Sequence, residues 1–258
     1  KWNAVLNRLP HRRGAAHAQP EDSAVINFDT VGAENTWNQN AHDFSAQHIE
    51  ELTSMLQLCQ ENGTRLLLIS APKTTLDVVS YETYFDDYAY FRQLAAQYGA
   101  SYYDFNLAKP ELFENKEPDY HKDFTHMNAA GGHAFSQSMA KFLAMLDAGQ
   151  DVESLFETPS EYLAAVNYIT NVYLTPEVHP DKILLLAGSY HGPSVQAEYE
   201  FWVKAPGESE YSRVSAYSTR SWTEYAAAEH GTYQFRVNAR VVGSSADFER
   251  YYECSVDF

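Results

Sequence analysis

Apolar positions recur at helical spacing from Ser45 onward. Ile49, Leu52, Met55, Leu56 and Cys59 fall on one face. The spacing predicts a helix closed by Asn62-Gly63, with Asp43 or Ser45 as the capping residue. Arg65-Leu-Leu-Leu-Ile-Ser70 follows directly, a continuous apolar run of the kind that forms a parallel strand buried on both faces. Helical spacing returns over about 81–98, with Tyr84, Tyr88, Phe91, Leu94 and Ala95 inward and Gly99 as the stop. Ser101-Tyr-Tyr-Asp-Phe105 predicts the next strand. A loop with Pro110 and Pro118 leads into the polar segment Asp119–His126, and Asn128 is placed to cap a third helix. The inner face of that helix is Phe135, Met139, Phe142, Leu143 and Leu146.

This order predicts an α/β unit with right-handed crossovers, a parallel sheet and helices on its faces. Two strong strands are fewer than a self-sufficient three-layer sheet uses. The expectation is therefore a partial three-layer α/β/α domain over 43–147. A weakly patterned lead-in at 1–42 precedes it, with Val25–Phe28 as one short candidate strand and a small basic patch at Arg8, His11, Arg12 and Arg13.

Beyond an acidic stretch at 148–160, expected as a linker, the period changes from 3.6 to 2. Lys182–Ala187, Glu198–Val203, Ser212–Tyr217, Gly231–Arg240 and Arg250–Val256 read as strands, with weaker ones near 167–173 and 222–225. Tyr233, Phe235, Val237 and Ala239 alternate with Gln234, Arg236 and Asn238, so one face is buried and one is wet. Pro206-Gly207, His230-Gly231 and Gly243-Ser-Ser245 separate the strands, and Gly188-Ser189 is read as a further turn. About seven short strands over 161–258 predict an all-β immunoglobulin-like sandwich.

Charge narrows the partners. Lys plus Arg number 18 against 35 Asp plus Glu, a net charge of −17 that repels nucleic acid and anionic lipid. No apolar run is long enough to span a bilayer, and no signal peptide is visible. The chain opens on Lys1 and not Met, the expectation for a processed or truncated product, so membrane attachment would come only through an anchor upstream. Cys59 and Cys254 lie in different predicted domains, so no disulfide is expected, and no zinc spacing is present. No cofactor is expected.

The candidate chemistry lies in Asp119-Tyr-His-Lys-Asp-Phe-Thr-His126. Asp123 and His126 stand three apart in a short loop. The carboxylate can accept the imidazole Nδ1–H, fix the tautomer and leave Nε2 as general base. The same residues also fit a solvated loop ahead of a capped helix. A metal reading would use His121, Asp123 and His126, with His133 near by, but its spacing matches no standard zinc signature. His133, His230 and Arg240 read as surface groups.

Two segments resemble known families. The run Ile49-Glu-Glu-Leu, continuing to Cys59-Gln-Glu-Asn-Gly-Thr-Arg-Leu-Leu-Leu-Ile-Ser-Ala-Pro72, looks like the last third of SGNH/GDSL-type hydrolase domains. So do Ala95-Ala-Gln-Tyr-Gly99, Tyr103-Asp-Phe-Asn106, and the closing Asp123-Phe-Thr-His126-Met-Asn128-Ala-Ala-Gly131. The resemblance covers about 43–146, with four elements in order. It implies a flavodoxin-like fold in which Asp123 and His126 are the Asp and His of a Ser-His-Asp triad. In that family the nucleophile is a serine near the domain's N-terminus, and a glycine and an asparagine from two further blocks complete the oxyanion hole. This sequence departs there. Residues 1–43 hold no Gly-Asp-Ser-like block after a strand; Ser23 lacks a preceding apolar strand, and Ser70 ends a strand that matches a later one of the family. The expectation is that the nucleophile block lies upstream of Lys1 and that this chain by itself is inactive.

Tyr199-Glu-Phe-Trp-Val203, Trp222-Thr-Glu-Tyr225 and Gly231–Arg240 resemble the triple-tyrosine immunoglobulin-like domain, over about the last 65 residues. The resemblance implies a binding or spacer module. Its Tyr and Trp could stack on sugar rings, although most alternate as core residues should. Together the resemblances imply an extracytoplasmic, bacterial serine esterase or acyltransferase acting on acyl esters of cell-surface carbohydrate or small esters. The alternative is a non-catalytic surface protein that binds carbohydrate or protein and carries a degenerate hydrolase domain.

Overall fold

The computed structural model describes residues 44–81, 83–121 and 126–258. The lead-in at 1–42, with its candidate strand, basic patch and Ser23, lies outside the described residues. The chain divides into two compact units whose described residues are 44–159 and 160–258.

In the first unit, α1 (Ala46–Glu61) leads to β1 (Leu67–Ser70). A short α2 (Thr75–Ser80) precedes α3 (Tyr84–Gln97) and β2 (Ser101–Asp104), and α4 (Ala129–Asp147) follows a long loop. The helix stops are those the glycines predict. Gly63 and Gly99 sit at φ 64° and 67°, and each closes a turn in which its own N–H and that of the next residue fold back onto the helix. Thr64 N–H reaches Cys59 O at 2.8 Å and Ala100 N–H reaches Ala95 O at 3.0 Å. Ser45 holds the N-cap position of α1 but makes no capping bond. Helical spacing alone missed α2, which Thr74 caps by accepting from Asp77 N–H. Within α1 only Leu56 is fully buried, and Met55, expected inside, is exposed.

β1 and β2 pair in parallel, Leu67 opposite Ser101 through Ser70 opposite Asp104. Leu67, Ile69 and Tyr103 share one face and pack with Phe135, Met139, Phe142 and Leu143 of α4. Tyr102 is on the other face, where it meets the rings of Tyr88 and Phe91 of α3. Phe142 is fully buried against Tyr103, Phe105 and Phe156. The 148–160 stretch expected as a linker is in fact packed. Val152 joins this core, Phe156 fills it, and Glu157 N–H and Leu155 O bond to Leu107 and Lys109. Its acidic side chains point outward while its few apolar ones anchor it.

At the boundary, α5 (Pro159–Ala165) opens into β3 (Ile169–His179), β4 (Lys182–His191), β5 (Ala197–Lys204), β6 (Ser212–Ser218), β7 (Trp222–Tyr225), β8 (Thr232–Val241) and β9 (Arg250–Asp257). All pairings are antiparallel, in one sheet of order β3-β4-β7 and another of order β6-β5-β8-β9. One core draws on both. Ile169, Val172 and Leu174 of β3 and Ile183 and Leu185 of β4 meet Tyr199, Phe201 and Val203 of β5 and Tyr233, Phe235 and Val237 of β8. Two antiparallel sheets sharing one core are compatible with a β sandwich.

Gly188-Ser189 is not a turn: both residues lie within β4. Gly188 stands opposite Tyr173 of β3, and the Tyr173 ring occupies the space a Cβ at 188 would need. A glycine there makes room for a cross-strand aromatic.

Phe142→Ala removes a fully buried ring from the first unit's core and is expected to cost about 3–5 kcal/mol. Urea unfolding monitored by circular dichroism measures it; a change below about 1 kcal/mol would be at odds with this packing.

Candidate functional site

The polar segment before α4 is built as a narrow hairpin. His121 N–H donates to His126 O at 2.8 Å, Tyr120 bridges Met127, and Asn128 N–H donates to Asp119 O at 2.8 Å. Lys122–Thr125, and with them Asp123, lie outside the described residues. His126 is exposed at the hairpin's neck, one residue before the Met127–Asn128 step into α4, and His121 faces it across the backbone bond. His133 is an exposed residue on α4, 3.1 Å from Gln137 Nε2, away from the neck in sequence and in hydrogen bonding. Among the described residues no group of three His, Cys, Asp or Glu side chains is placed to hold a metal ion.

Two residues fix the hairpin to the helix. Asn128 is buried; its Oδ1 accepts from Ala130 and Gly131 N–H at 2.9 and 3.1 Å, and its Nδ2 donates to Pro118 O at 2.8 Å. One amide therefore caps α4 and holds the 3-10 turn Glu117–Asp119 beside it. Gly131 stands where α4 touches that turn, and a Cβ there would run into the Asp119 carbonyl oxygen and its Cβ.

The same hairpin is tied to the carboxyl end of β1. The buried Tyr120 donates its hydroxyl to Asn115 Oδ1 at 2.6 Å, and Asn115 Nδ2 donates to Lys73 O at 2.7 Å. Lys73 N–H in turn donates to Asn106 Oδ1 at 2.7 Å, just past β2. Tyr120, in the neck that ends at His126, is thus tied to the segments that leave the carboxyl ends of both parallel strands, the edge at which open α/β sheets place their ligands.

Behind those loops is a buried polar cluster that pattern reading did not single out. Asp104, at the end of β2, accepts from Asn106 N–H at 2.9 Å and from the Tyr84 hydroxyl at 2.8 Å. Burial raises its carboxyl above the usual value, opposed by the bonds from Asn106 and Tyr84. Lys73 Nζ pairs with the buried Asp77 at 2.7 Å. The Asp-Phe-Asn run after an apolar strand is the one sequence signal that could have flagged Asp104 and Asn106. Nothing local marks Asn115.

Ser70 lies at the end of β1, and its hydroxyl is 2.6 Å from Tyr102 Oη. Burial pushes the Tyr102 phenol up to about 12, so it stays protonated at neutral pH and cannot take the Ser70 proton. Ser189 Oγ likewise meets a phenol, Tyr199 Oη at 2.8 Å. Among the described residues neither serine is bonded to a group that would activate it as a nucleophile. Comparison with known protein families and with curated proteins finds no match for this chain.

Asn128→Ala removes the cap of α4 and the Pro118 bond together. The expected loss is about 1–3 kcal/mol in urea unfolding; a loss of a few tenths would mean that neither bond contributes. Asp104 yields a pH dependence. Its folded carboxyl binds protons more tightly than the unfolded one, so its stability contribution is full below the unfolded value of about 4 and declines as pH rises through the raised folded value. The stability of the wild type relative to Asp104→Asn should therefore fall as pH rises above about 4. Denaturant titrations at several pH values read that difference, and a rise would reverse the assignment.

Proposed function

We propose that this chain carries the acid–base part of an SGNH-type serine esterase or acyltransferase that acts on acyl esters of cell-surface carbohydrate, joined to an immunoglobulin-like binding or spacer module. The observation that carries the reading is the position of His126. It stands at the neck of a hairpin that Tyr120 and Asn115 tie to the carboxyl end of β1, ahead of a helix capped by Asn128. The resemblance of Asp123-Phe-Thr-His126-Met-Asn128 to the closing block of that family supplies the chemistry.

In this reading Asp123 orients the imidazole and His126 Nε2 is the general base. It takes the proton of a serine hydroxyl as the serine oxygen attacks the ester carbonyl, and the tetrahedral oxyanion collapses to an acyl-serine. His126 hands the proton to the leaving alkoxide. Water, or a sugar hydroxyl, then gives its proton to His126 and attacks the acyl-serine, and the proton returns to the serine as it leaves. The serine itself belongs to none of the blocks recognised in this chain. The family serine is reached in a Gly-Asp-Ser context, and the surroundings of Ser70 and Ser189 argue against them.

The test is p-nitrophenyl acetate turnover by the intact gene product. His126→Ala is expected to lower kcat by about 10²–10⁴-fold, the range for loss of a positioned general base. A rate unchanged by that substitution removes His126 from the chemistry and with it this reading.

A further inference from the structure

The outward face of the β6-β5-β8-β9 sheet holds a groove of about 400 Å³, within the size range of small-molecule sites. Alternation predicts this face as the wet one, but its centre is buried. Glu200 of β5 and Asn238 of β8 stand opposite each other in register, and they are only 7 % and 6 % exposed. Asn238 Nδ2 donates to Glu200 Oε2 at 3.3 Å, and Asn238 Oδ1 accepts from Arg236 Nε at 2.8 Å. Trp202 Nε1 also donates to Glu200 Oε2, at 2.9 Å. These bonds fix the plane of the indole and hold a polar floor in one arrangement before any ligand arrives. Arg240, read from sequence as a surface group, belongs to the same lining. Its Nε is 2.6 Å from Glu198, and its guanidinium lies 3.9 Å from the Tyr217 ring centroid.

The lining selects a ligand class. Arg236 and Arg240 balance Glu200 and Asp247, so the groove favours neither an anion nor a cation. Cation sites on the rings are already filled from within the chain. Arg240 covers Tyr217, and Arg236 lies 5.0 Å from the Phe248 centroid and 4.2 Å from that of Tyr251. A quaternary ammonium ion therefore has no free aromatic cage. Among the described residues neither a ring nor a cation lies on the Trp202 indole. What remains is one anchored flat apolar face beside a carboxylate, an amide and guanidinium groups. A neutral pyranose matches it, with a C–H face for the indole and hydroxyls that donate to Glu200 and accept from the guanidinium groups of the lining, Arg236 and Arg240.

We infer that this groove is a binding site for neutral saccharides, with Trp202 as the stacking platform and Glu200 as the hydroxyl acceptor. The inference deepens the reading of the second unit as a binding module, and its test has no readout at His126. Isothermal titration of the full chain uses cellotetraose, mannotetraose and the N-acetylglucosamine tetramer, with tetragalacturonate and tetramethylammonium chloride as charged probes. Saturable binding of at least one neutral tetramer, quenching tryptophan fluorescence, is expected. Trp202→Ala should weaken it at least about tenfold, the loss of one stacking contact. Trp202→Phe, which keeps a ring, should weaken it less and guards against a folding defect in the alanine variant. Absence of binding by all three neutral tetramers at millimolar concentration overturns the inference, as does stronger binding of either charged probe or an affinity that both Trp202 variants leave unchanged. Loss of saccharide binding in a Trp202 variant with the esterase turnover of the intact gene product retained, or the reverse in a His126 variant, separates this site from the chemistry proposed for His126.

Discussion

Buried backbone N–H and C=O groups need partners, and at the carboxyl edge of the small parallel sheet three asparagine side chains supply several of them. Asn106 bridges the exits of β2 and β1, Asn115 joins the β1 exit to Tyr120, and Asn128 holds the hairpin while capping α4. Each donates and accepts at once, which no carboxylate and no apolar side chain can do. The hairpin that ends at His126 is held through this chain of amides.

The close approach at Gly131 works with Asn128. A cap alone would start the helix but leave its angle to the preceding turn free. The absence of a Cβ at 131 lets the first turn of α4 touch the Asp119 backbone, so the hairpin neck enters the helix in one orientation.

The second unit meets a different constraint. Its inward positions repeat with period 2 and fill one core between two sheets, while its outward positions carry paired charges and rings. Antiparallel register sets Glu198 opposite Arg240, Glu200 opposite Asn238 and Trp202 opposite Arg236. Trp202, Asn238 and Arg213 then bond the Glu200 carboxylate at the centre, and a nominally wet face acquires a buried polar floor.

Much of the architecture was legible in the chain. The period of apolar residues marked α1, α3 and α4, the unbroken run at 66–69 and the short Ser101–Phe105 run marked β1 and β2, and alternation marked the strands of the second unit. Positive-φ glycines ended helices where expected because no other residue takes that conformation at so little cost. Asn128 was readable as a cap for the same local reason. Short or irregular pieces were not readable. Six-residue α2 has too few positions to show a period, the 148–160 stretch looks like a linker until Val152 and Phe156 meet the core, and Gly188 looks like a turn until Tyr173 lies across it. The sequence by itself determined which segments could form helices and strands, and that Asp123 and His126 share one short loop. Only the tertiary structure decided that this loop's neck is tied through Tyr120 and Asn115 to the segment after β1, and that Glu200, Trp202 and Asn238 form one floor. Both depend on hydrogen bonds and register between residues far apart in the chain, and no local pattern encodes those partners.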